Sequence, residues 1–168
     1  EVRGAETPID RLRNIVIAHS QLEDFASTIT MSERVLAMQP DELVVMSLYA
    51  DALHRSNRLD DALAAIDRLI ALQPDHPSAN LRKATWLIAV QRLEDAVAAL
   101  TPIARDAQSA DNGANMIFNE VYTNGLQKQD YAYTIRGVVA AKRLPNVSSQ
   151  MTEQLNFWHG LSVFQRTM

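Results

Sequence analysis

The sequence predicts an all-α protein built from helical hairpins that repeat at a fixed interval. The segment LDDALAAI begins at position 59 and the similar LEDAVAAL at position 93, a step of 34. The same step separates AMQPD, which begins at position 37, from ALQPD, which begins at position 71, so two unrelated segments carry the period. The extended apolar patterns have helical spacing, and none shows the long alternation typical of a strand. A fixed period of this length indicates stacked helix pairs.

The composition is that of an ordinary globular protein and narrows the classes of partner. The 168 residues are 47% hydrophobic and 21% charged, which suffices for a sizeable core. There is no cysteine, which excludes disulfides, thiolate zinc sites and a cysteine nucleophile. The net charge of −4 comes from scattered acids and bases. Because no basic stripe exists to neutralise phosphates, nucleic acid is not expected as a partner.

The apolar runs and the start of the chain bear on its compartment. The longest apolar runs, such as WLIAV at 86–90, are far shorter than the roughly 20 residues of a membrane span. We therefore expect a soluble protein, cytoplasmic or periplasmic, with no direct membrane insertion. The chain begins at Glu1 and has no charged-then-apolar leader, so we expect a processed form or a fragment of a longer protein.

The second repeat unit, about 41–74, shows the hairpin pattern most clearly. Apolar or small residues at helical spacing mark its first helix and then its second, at Met46, Tyr49, Ala50, Leu53, Ala62, Ile66 and Leu69. The segment SNR at 56–58 forms the predicted turn between the two helices. Pro74 ends the unit because proline cannot continue a helix and restricts the residue before it.

This pattern resembles the tetratricopeptide repeat, in which large-x2-Leu-small-x2-aromatic is followed by Ala-x3-large and then Pro. The third unit, about 75–110, repeats it with Ala84 and Ala96 at the small positions, although Lys83 and Gln108 replace the usual large residue and proline. Small residues let paired helices approach, whereas a larger side chain would overpack at about 1–3 kcal/mol. The resemblance implies a single domain, 1–168, forming a right-handed α-α superhelix of about four hairpins plus a C-terminal helix.

The first unit, about 6–40, fits the pattern less well. Aligning LED at 22–24 with LDD at 59–61 gives a step of 37, which predicts about three extra residues. In that alignment Arg13 and Phe25 occupy the small positions, as expected of a divergent terminal repeat. The segment from Thr7 to Asp10 is typical of a helix start, with Thr7 as the cap, Pro8 in the first turn and Asp10 near the positive end of the dipole.

The fourth unit, about 111–145, fits best at a step of 69 from the second. This alignment places Phe118 and Tyr122 in its first helix and Tyr131 and Ile135 in its second, with the segment 125–129 as the turn. A terminal helix, about 149–166, follows. It either begins a fifth unit or caps the fourth.

The resemblance implies a concave groove, lined by the first helices of successive units, that binds an extended or helical peptide. The positions facing such a ligand are Asn14, Ile17, Ser47, Leu48, Asp51, His54, Arg55, Leu81, Arg82, Thr85, Ile88, Met116, Glu120 and Thr123. As a peptide track, these combine Arg and Asn side chains, which can bond a ligand backbone, with apolar pockets at Leu48, Leu81 and Met116. The alternative is that they are ordinary solvated helix faces, some of them covered by the chain's own last helix.

One subclass of the family is disfavoured. Repeats that clamp a C-terminal carboxylate use Lys and Asn at two groove positions and basic residues in the next unit. The corresponding pairs here are Asp10 with Asn14 and Ser47 with Asp51, and only Arg82 keeps a basic residue. A carboxylate ligand would meet acidic groove residues, which like-charge repulsion disfavours.

The residue patterns predict a non-enzymatic protein without cofactor or metal. The four histidines lie on separate units, with no His-x3-His pair and no His-Glu-x2-His motif. No Gly-rich loop precedes a helix to hold a phosphate. The acidic pairs at 60–61 and 94–95 recur at predicted helix starts, where negative charge offsets the dipole. Their recurrence indicates a role in the scaffold.

The terminal helix carries the densest aromatic cluster of the chain, Phe157, Trp158 and Phe164. These side chains either pack against the fourth unit or leave an apolar face that docks a downstream repeat or a second copy of the chain. The second interpretation predicts a homodimer through this helix.

Together these patterns predict a protein-interaction scaffold that binds a protein or peptide partner. The alternatives are a regulatory or substrate-presenting part of a larger enzyme or of a secretion or envelope assembly, a self-association module, and a sensor of a small molecule or signalling peptide. Individual binding chemistry is expected where the period fails: in the first unit, at Asn112 and Gly113, and in the terminal helix.

Overall fold

The computed structural model describes residues 7–168, which form nine α-helices, a 3-10 turn and a π-helical segment, with no strand in that range. The described residues divide into two compact parts, one that ends at Pro74 and one that begins at Asp75. The predicted all-α fold class, with four hairpins and a C-terminal helix, is confirmed. The single domain and its unit boundaries stay predictions. No helix within 7–168 has both the length and the apolar character needed to cross a membrane.

The first part contains two helical hairpins. Its helices are α1 (Pro8–Gln21), α2 (Phe25–Met38), α3 (Leu43–Arg55) and α4 (Leu59–Leu72). Each helix packs on the next, and α1 also packs on α3, so the first helices of the two hairpins lie side by side. Ala50 and Ala62, the predicted small positions, are fully buried.

The second part contains two hairpins and the terminal helix. Its elements are α5 (Pro77–Ala89), α6 (Leu93–Leu100), a 3-10 turn (Thr101–Ile103), α7 (Ala107–Val121), a π-helical segment (Tyr122–Leu126), α8 (Tyr131–Ala141) and α9 (Ser149–Thr167). The pairs α5–α6, α7–α8 and α8–α9 pack together, and α5 also contacts α7. Ala84 and Ala96 are fully buried, as the small positions require.

The four hairpins between positions 7 and 168 turn through the same backbone conformation. Glu23, Asn57, Gln91 and Gln129 have positive φ angles of 56°, 59°, 61° and 60°. In each turn the amide of the next residue donates to the carbonyl five residues before it, at 2.9–3.0 Å. This is the Schellman arrangement that satisfies the last carbonyls of a helix. The first three turns follow one another at equal steps of 34, so the period is visible in the backbone as well as in the side chains.

The expected step of 37 in the first unit is wrong. α2 begins at Phe25 and α4 at Leu59, which is a step of 34. The segment 22–24 forms the turn, although its letters resemble the first turn of α4. Asp24 caps α2 by accepting the Ser27 amide N–H at 3.1 Å. The two segments look alike because an acidic cap and an acidic first turn give the same local sequence.

The corrected register changes which residues stand at the special positions of the first unit. Val16 and Thr28, both fully buried, occupy the small positions expected for Arg13 and Phe25. Arg13 also takes the groove position assigned to Asp10, and its guanidinium pairs with the Asp10 carboxylate at 2.6 Å. The basic group at this position therefore already has an acidic partner within α1.

The predicted helix start at Thr7 is confirmed. The Asp10 amide donates to Thr7 Oγ1 at 3.2 Å, and the Thr7 amide donates to Asp10 Oδ2 at 3.1 Å, which together form a capping box. The Thr7 hydroxyl also donates to Asp10 Oδ2 at 2.6 Å, and this bond, followed by that from the Thr7 amide, lowers the pKa of the Asp10 carboxyl group.

The acidic pairs at 60–61 and 94–95 lie in the first turns of α4 and α6, as predicted. Asp61 pairs with the preceding Arg58 and Asp95 with the preceding Arg92, each at 2.7 Å. Both pairs link a residue before the helix to its first turn, so the two hairpins begin their second helices in the same way.

The expected step of 69 in the fourth unit is wrong for its second helix. The turn at Gln129 comes four residues later than a step of 34 from Gln91 would place it, because the π-helical segment prolongs α7 before the chain reverses. The buried face of α8 is consequently formed by Tyr133, Thr134, Gly137, Val138, Ala140 and Ala141. Tyr131 and Ile135, which the alignment places at the positions of Ala62 and Ile66, do lie in α8 but are only half-buried.

Candidate functional site

In the first part, the residues predicted to line a groove lie on the adjacent helices α1 and α3. Asn14 and Arg55 are exposed, whereas the half-buried ones are Ile17, Ser47, Leu48, Asp51 and His54. Burial lowers the pKa of His54 more than the neighbouring Asp51 raises it, so the imidazole is neutral at neutral pH. This face presents polar and apolar groups side by side.

In the second part, the predicted residues lie on α5, on α7 and in the π-helical segment. Leu81, Thr85 and Thr123 are exposed, and the half-buried ones are Arg82, Met116 and Glu120. Ile88 is only 7% exposed, so its side chain serves mainly to pack α5. The Thr85 hydroxyl donates to the Leu81 carbonyl at 2.8 Å within the helix.

Glu120 is held by its own hairpin. Its Oε1 atom accepts hydrogen bonds from Asn124 Nδ2 at 2.7 Å and from the Tyr133 hydroxyl at 3.5 Å. Burial, together with the negative charge of Glu120, raises the pKa of Tyr133 to about 12. Glu120 therefore helps to join α7 to α8, a role that the spacing of groove positions does not suggest.

A pocket of about 300 Å³ lies between the N-terminal ends of α5 and α7. Its apolar wall is formed by Pro77, Leu81 and Ile103, and its polar wall is formed by Asp75, Arg105, Asp106, Ser109 and Asn112. Leu81, which is 38% exposed, is the predicted groove residue that reaches it. The pocket thus joins the α5 face to the region of Asn112, where the period was expected to fail.

The pocket exists because α6 stops early. α4 has 14 residues, whereas α6 has eight and passes at once into the 3-10 turn that contains Pro102. Proline cannot donate the next helical hydrogen bond, so the chain leaves the α-helical path there. α7 therefore starts four residues earlier, relative to α5, than α5 starts relative to α3. The extra first turn of α7, from Ala107 onward, forms one wall of the pocket.

The rim of the pocket is fixed by hydrogen bonds. Asn146 Nδ2 donates to the Ala104 carbonyl at 2.8 Å, which holds the loop before α7. Asp106 caps α7 in a capping box, in which its Oδ1 accepts the Ser109 amide N–H at 2.8 Å. Hydrogen bonds from Ser109 lower the pKa of Asp106, so this carboxylate is charged at neutral pH. Arg105 pairs with Asp75 across the mouth.

Sequence reasoning missed most of the pocket residues. The sequence does contain two signals, the helix-breaking Pro102 and the capping pair Asp106 and Ser109. Neither signal predicts that Arg105 lies beside Asp75, because that contact depends on how α5 and α6 pack. Between positions 7 and 168 no three His, Asp or Glu side chains are grouped so that they could hold a metal ion.

The aromatic cluster of α9 is split between two environments. The Trp158 ring lies 5.8 Å from the rings of both Phe118 and Tyr122, on α7 and at its end, so it packs against the fourth hairpin. Phe157 is 63% and Phe164 is 57% exposed, and they lie two helical turns apart on one face of the helix. The terminal helix is therefore packed on one side and apolar on the other.

The comparisons with known proteins agree with this architecture. Residues 20–78 match the family model described as tetratricopeptide repeat. MamA 41-end from Desulfovibrio magneticus RS-1 superposes with a TM-score of 0.61 at 16% identity, over 97% of this chain and 94% of that one. MamA MSR-1 C2 superposes with a TM-score of 0.57 at 18% identity, over 94% and 91%. MamA RS-1 ArsTM double mutant gives 0.60 at 16% identity, over 97% and 93%. No curated protein matches the sequence.

The resemblance drawn from the sequence is thus confirmed for residues 20–78, which match the tetratricopeptide-repeat model, and the all-α fold of helical hairpins is the predicted one. At 16–18% identity the solved structures establish the fold alone. The repeat supports a protein-interaction scaffold in general terms, and this type of fold is typically non-catalytic.

Proposed function

We propose that this protein is a non-enzymatic interaction module that binds a peptide segment of a protein partner through the first helices of its hairpins. The observation that carries the proposal is the pocket at the α5 face, where the predicted groove residue Leu81 meets a hydrogen-bonded polar rim. Repeat scaffolds present side chains from several helices on a fixed backbone, which reduces the ordering cost of binding. In the second part, Arg82 is proposed to contact the backbone or acidic groups of a ligand, and Leu81 and Met116 its apolar side chains. In the first part, Arg55 and Leu48 are proposed to have these two roles.

Partner capture tests this proposal. The protein and its Leu81→Asp and Arg82→Ala variants are immobilised, and proteins retained from native lysate are compared by quantitative mass spectrometry. We expect partners retained by the parent protein to fall at least about tenfold with Leu81→Asp, because a charge in an apolar contact must be desolvated. Leu22→Asp is the matched control, since Leu22 is 77% exposed in the α1–α2 turn. If Leu81→Asp and Arg82→Ala capture the same partners as the parent protein, the proposed groove does not bind them.

Self-association is a second candidate function, and the exposed side of α9 favours it. Phe157 and Phe164 are both exposed on one face of a helix whose other side is already packed. A surface of this kind is self-complementary when two copies meet about a two-fold axis.

Sedimentation velocity across a wide range of protein concentration tests the second candidate. We expect the parent protein to shift from monomer to dimer as concentration rises, and the Phe157→Ser/Phe164→Ser variant to stay monomeric. Both substituted residues are exposed, so the fold of the variant should persist, which circular dichroism checks. A parent protein that is monomeric at every concentration contradicts the candidate.

A further inference from the structure

The pocket between α5 and α7 has the size of one or two amino-acid side chains. Its volume of about 300 Å³ lies at the lower end of the range for small-molecule sites, roughly 300–1,000 Å³. Pro77, Leu81 and Ile103 provide only carbon atoms from their side chains. Burying an aliphatic side chain there removes apolar surface from water on both partners, which is favourable.

The charged residues around the pocket are acidic on balance. Asp75 and Asp106 carry two negative charges, and Arg105 carries one positive charge. Arg105 is paired with Asp75, and both side chains are well exposed. Asp106 is the lining carboxylate that does not pair with Arg105; it sits at the end of the pocket nearest α7, whose N-terminal dipole offsets part of its charge. A cationic neighbour of the inserted side chain would be attracted there, and an acidic one repelled.

A hydrogen-bond donor stands beside the charge. Within the described range 7–168, the side chain of Asn112 makes one hydrogen bond, in which its Oδ1 accepts from Gln108 Nε2 at 3.2 Å. Its amide N–H groups remain able to donate to a ligand carbonyl. An extended peptide offers such a carbonyl next to each side chain, whereas a simple hydrocarbon does not.

Three contacts hold the walls of the pocket. The Asn146 bond to Ala104, the capping box at Asp106 and the pairing of Arg105 with Asp75 hold the loop between α6 and α7 at three points. A site with fixed walls loses little conformational entropy on binding.

Resting on the proposed function, we propose that this pocket receives one aliphatic side chain of a partner peptide whose neighbouring residue is lysine or arginine. The aliphatic group contacts Pro77, Leu81 and Ile103, the cation lies beside the Asp106 carboxylate, and Asn112 donates to the peptide backbone. The pocket thereby selects for a basic-aliphatic dipeptide within a longer segment.

Three short peptides test the proposal directly. Acetyl-Gly-Lys-Leu-Gly-amide is titrated into methyl-labelled protein and compared by NMR with acetyl-Gly-Glu-Leu-Gly-amide and acetyl-Gly-Lys-Ser-Gly-amide. We expect the Lys-Leu peptide to produce saturable shifts of the Leu81 and Ile103 methyl groups. Its dissociation constant should be about threefold lower than that of the Glu-Leu peptide, which is the scale of one exposed charge contact. The Lys-Ser peptide should give no saturable shift.

A variant that keeps the helix cap isolates the charge. Asparagine caps helices as well as aspartate does, so Asp106→Asn removes the charge without removing the cap, and thermal melting confirms that the fold is kept. We expect Asp106→Asn to abolish the preference for Lys-Leu over Glu-Leu while retaining binding of both. Asp95→Asn is the matched control, because Asp95 is an exposed acid of the same part that pairs with Arg92 away from the pocket.

Three results would overturn the proposal: no shift of the Leu81 and Ile103 methyls, equal or stronger binding of the Glu-Leu peptide, or an unchanged preference in Asp106→Asn. If the peptides fail while partner capture remains sensitive to Leu81→Asp or Arg82→Ala, the pocket assignment is wrong and the interaction module stands. If the peptides bind while capture is insensitive to both variants, the pocket assignment stands and the proposed interaction module is wrong.

Discussion

Replacing Gly137 by alanine is expected to destabilise the second part of the protein by about 1–3 kcal/mol. A Cβ atom at this position would lie 2.0 Å from Val121 Cγ1 and 2.9 Å from Val121 Cβ. Helices α7 and α8 would have to move apart, because the atoms opposite Gly137 belong to Val121, a fully buried, β-branched side chain. The steric penalty exceeds the gain of about 1 kcal/mol that alanine normally brings to a helix.

Chemical denaturation followed by tryptophan fluorescence measures this effect. Both tryptophans, Trp86 and Trp158, lie in the second part, so the signal reports unfolding there. The double variant Gly137→Ala/Val121→Ala should be more stable than the sum of the two single changes implies, because the clash is removed. Gly160→Ala is the control, since nothing lies within 4 Å of a Cβ at Gly160. Equal stabilities for Gly137→Ala and Gly160→Ala would refute the close approach of α7 and α8.

Replacing Leu155 by alanine is expected to cost about 2–5 kcal/mol, the range for deleting a buried leucine side chain. Leu155 is fully buried on α9, which packs against α8. The loss combines the transfer of apolar atoms with the cavity left behind. The same fluorescence measurement applies, because Trp158 is on the same helix and its ring contacts Phe118.

Phe157→Ala provides the comparison on the opposite side of α9. Phe157 is mostly exposed, so its removal should change the unfolding free energy of the monomer by less than about 0.5 kcal/mol. If the two substitutions are equally mild, α9 does not belong to the core of the second part. If both are severe at low protein concentration, the exposed side of α9 is covered in the monomer.

The middle of the fold is predictable from the sequence because small residues recur at the positions where paired helices pack closely. Fully buried alanines stand where the paired helices approach, at Ala50, Ala62, Ala84 and Ala96. The sequence alignment of the first unit with the second is wrong for a physical reason. Asp24 is the N-cap of α2, whereas the acidic residues at 60–61 with which it was aligned lie in the first turn of α4.

The candidate site is only partly predictable. Leu81 follows from the sequence because groove positions depend on helical spacing within α5. Arg105 and Asp106 do not, since they line the pocket only after a shortened α6 brings the following loop back to the start of α5. The sequence predicts that the helix breaks at Pro102. It does not predict where the following loop lies, because that depends on tertiary packing.

The two extensions of α7 keep its faces in register. The helix starts four residues earlier than the repeat step requires, and its turn at Gln129 comes four residues later, so the extra length is added in equal increments at both ends. The four residues added at the start of α7 are close to one helical turn of about 3.6 residues, so they lengthen the helix at its N-terminus and leave the direction of its buried face unchanged. A related chain could gain or lose the first turn of α7, and with it the pocket, without disturbing the buried face of the hairpin. The turn of α7 that lines the pocket is thereby separable from the turns that form the buried face, so an insertion or deletion can change the pocket while the packing of the hairpin is preserved.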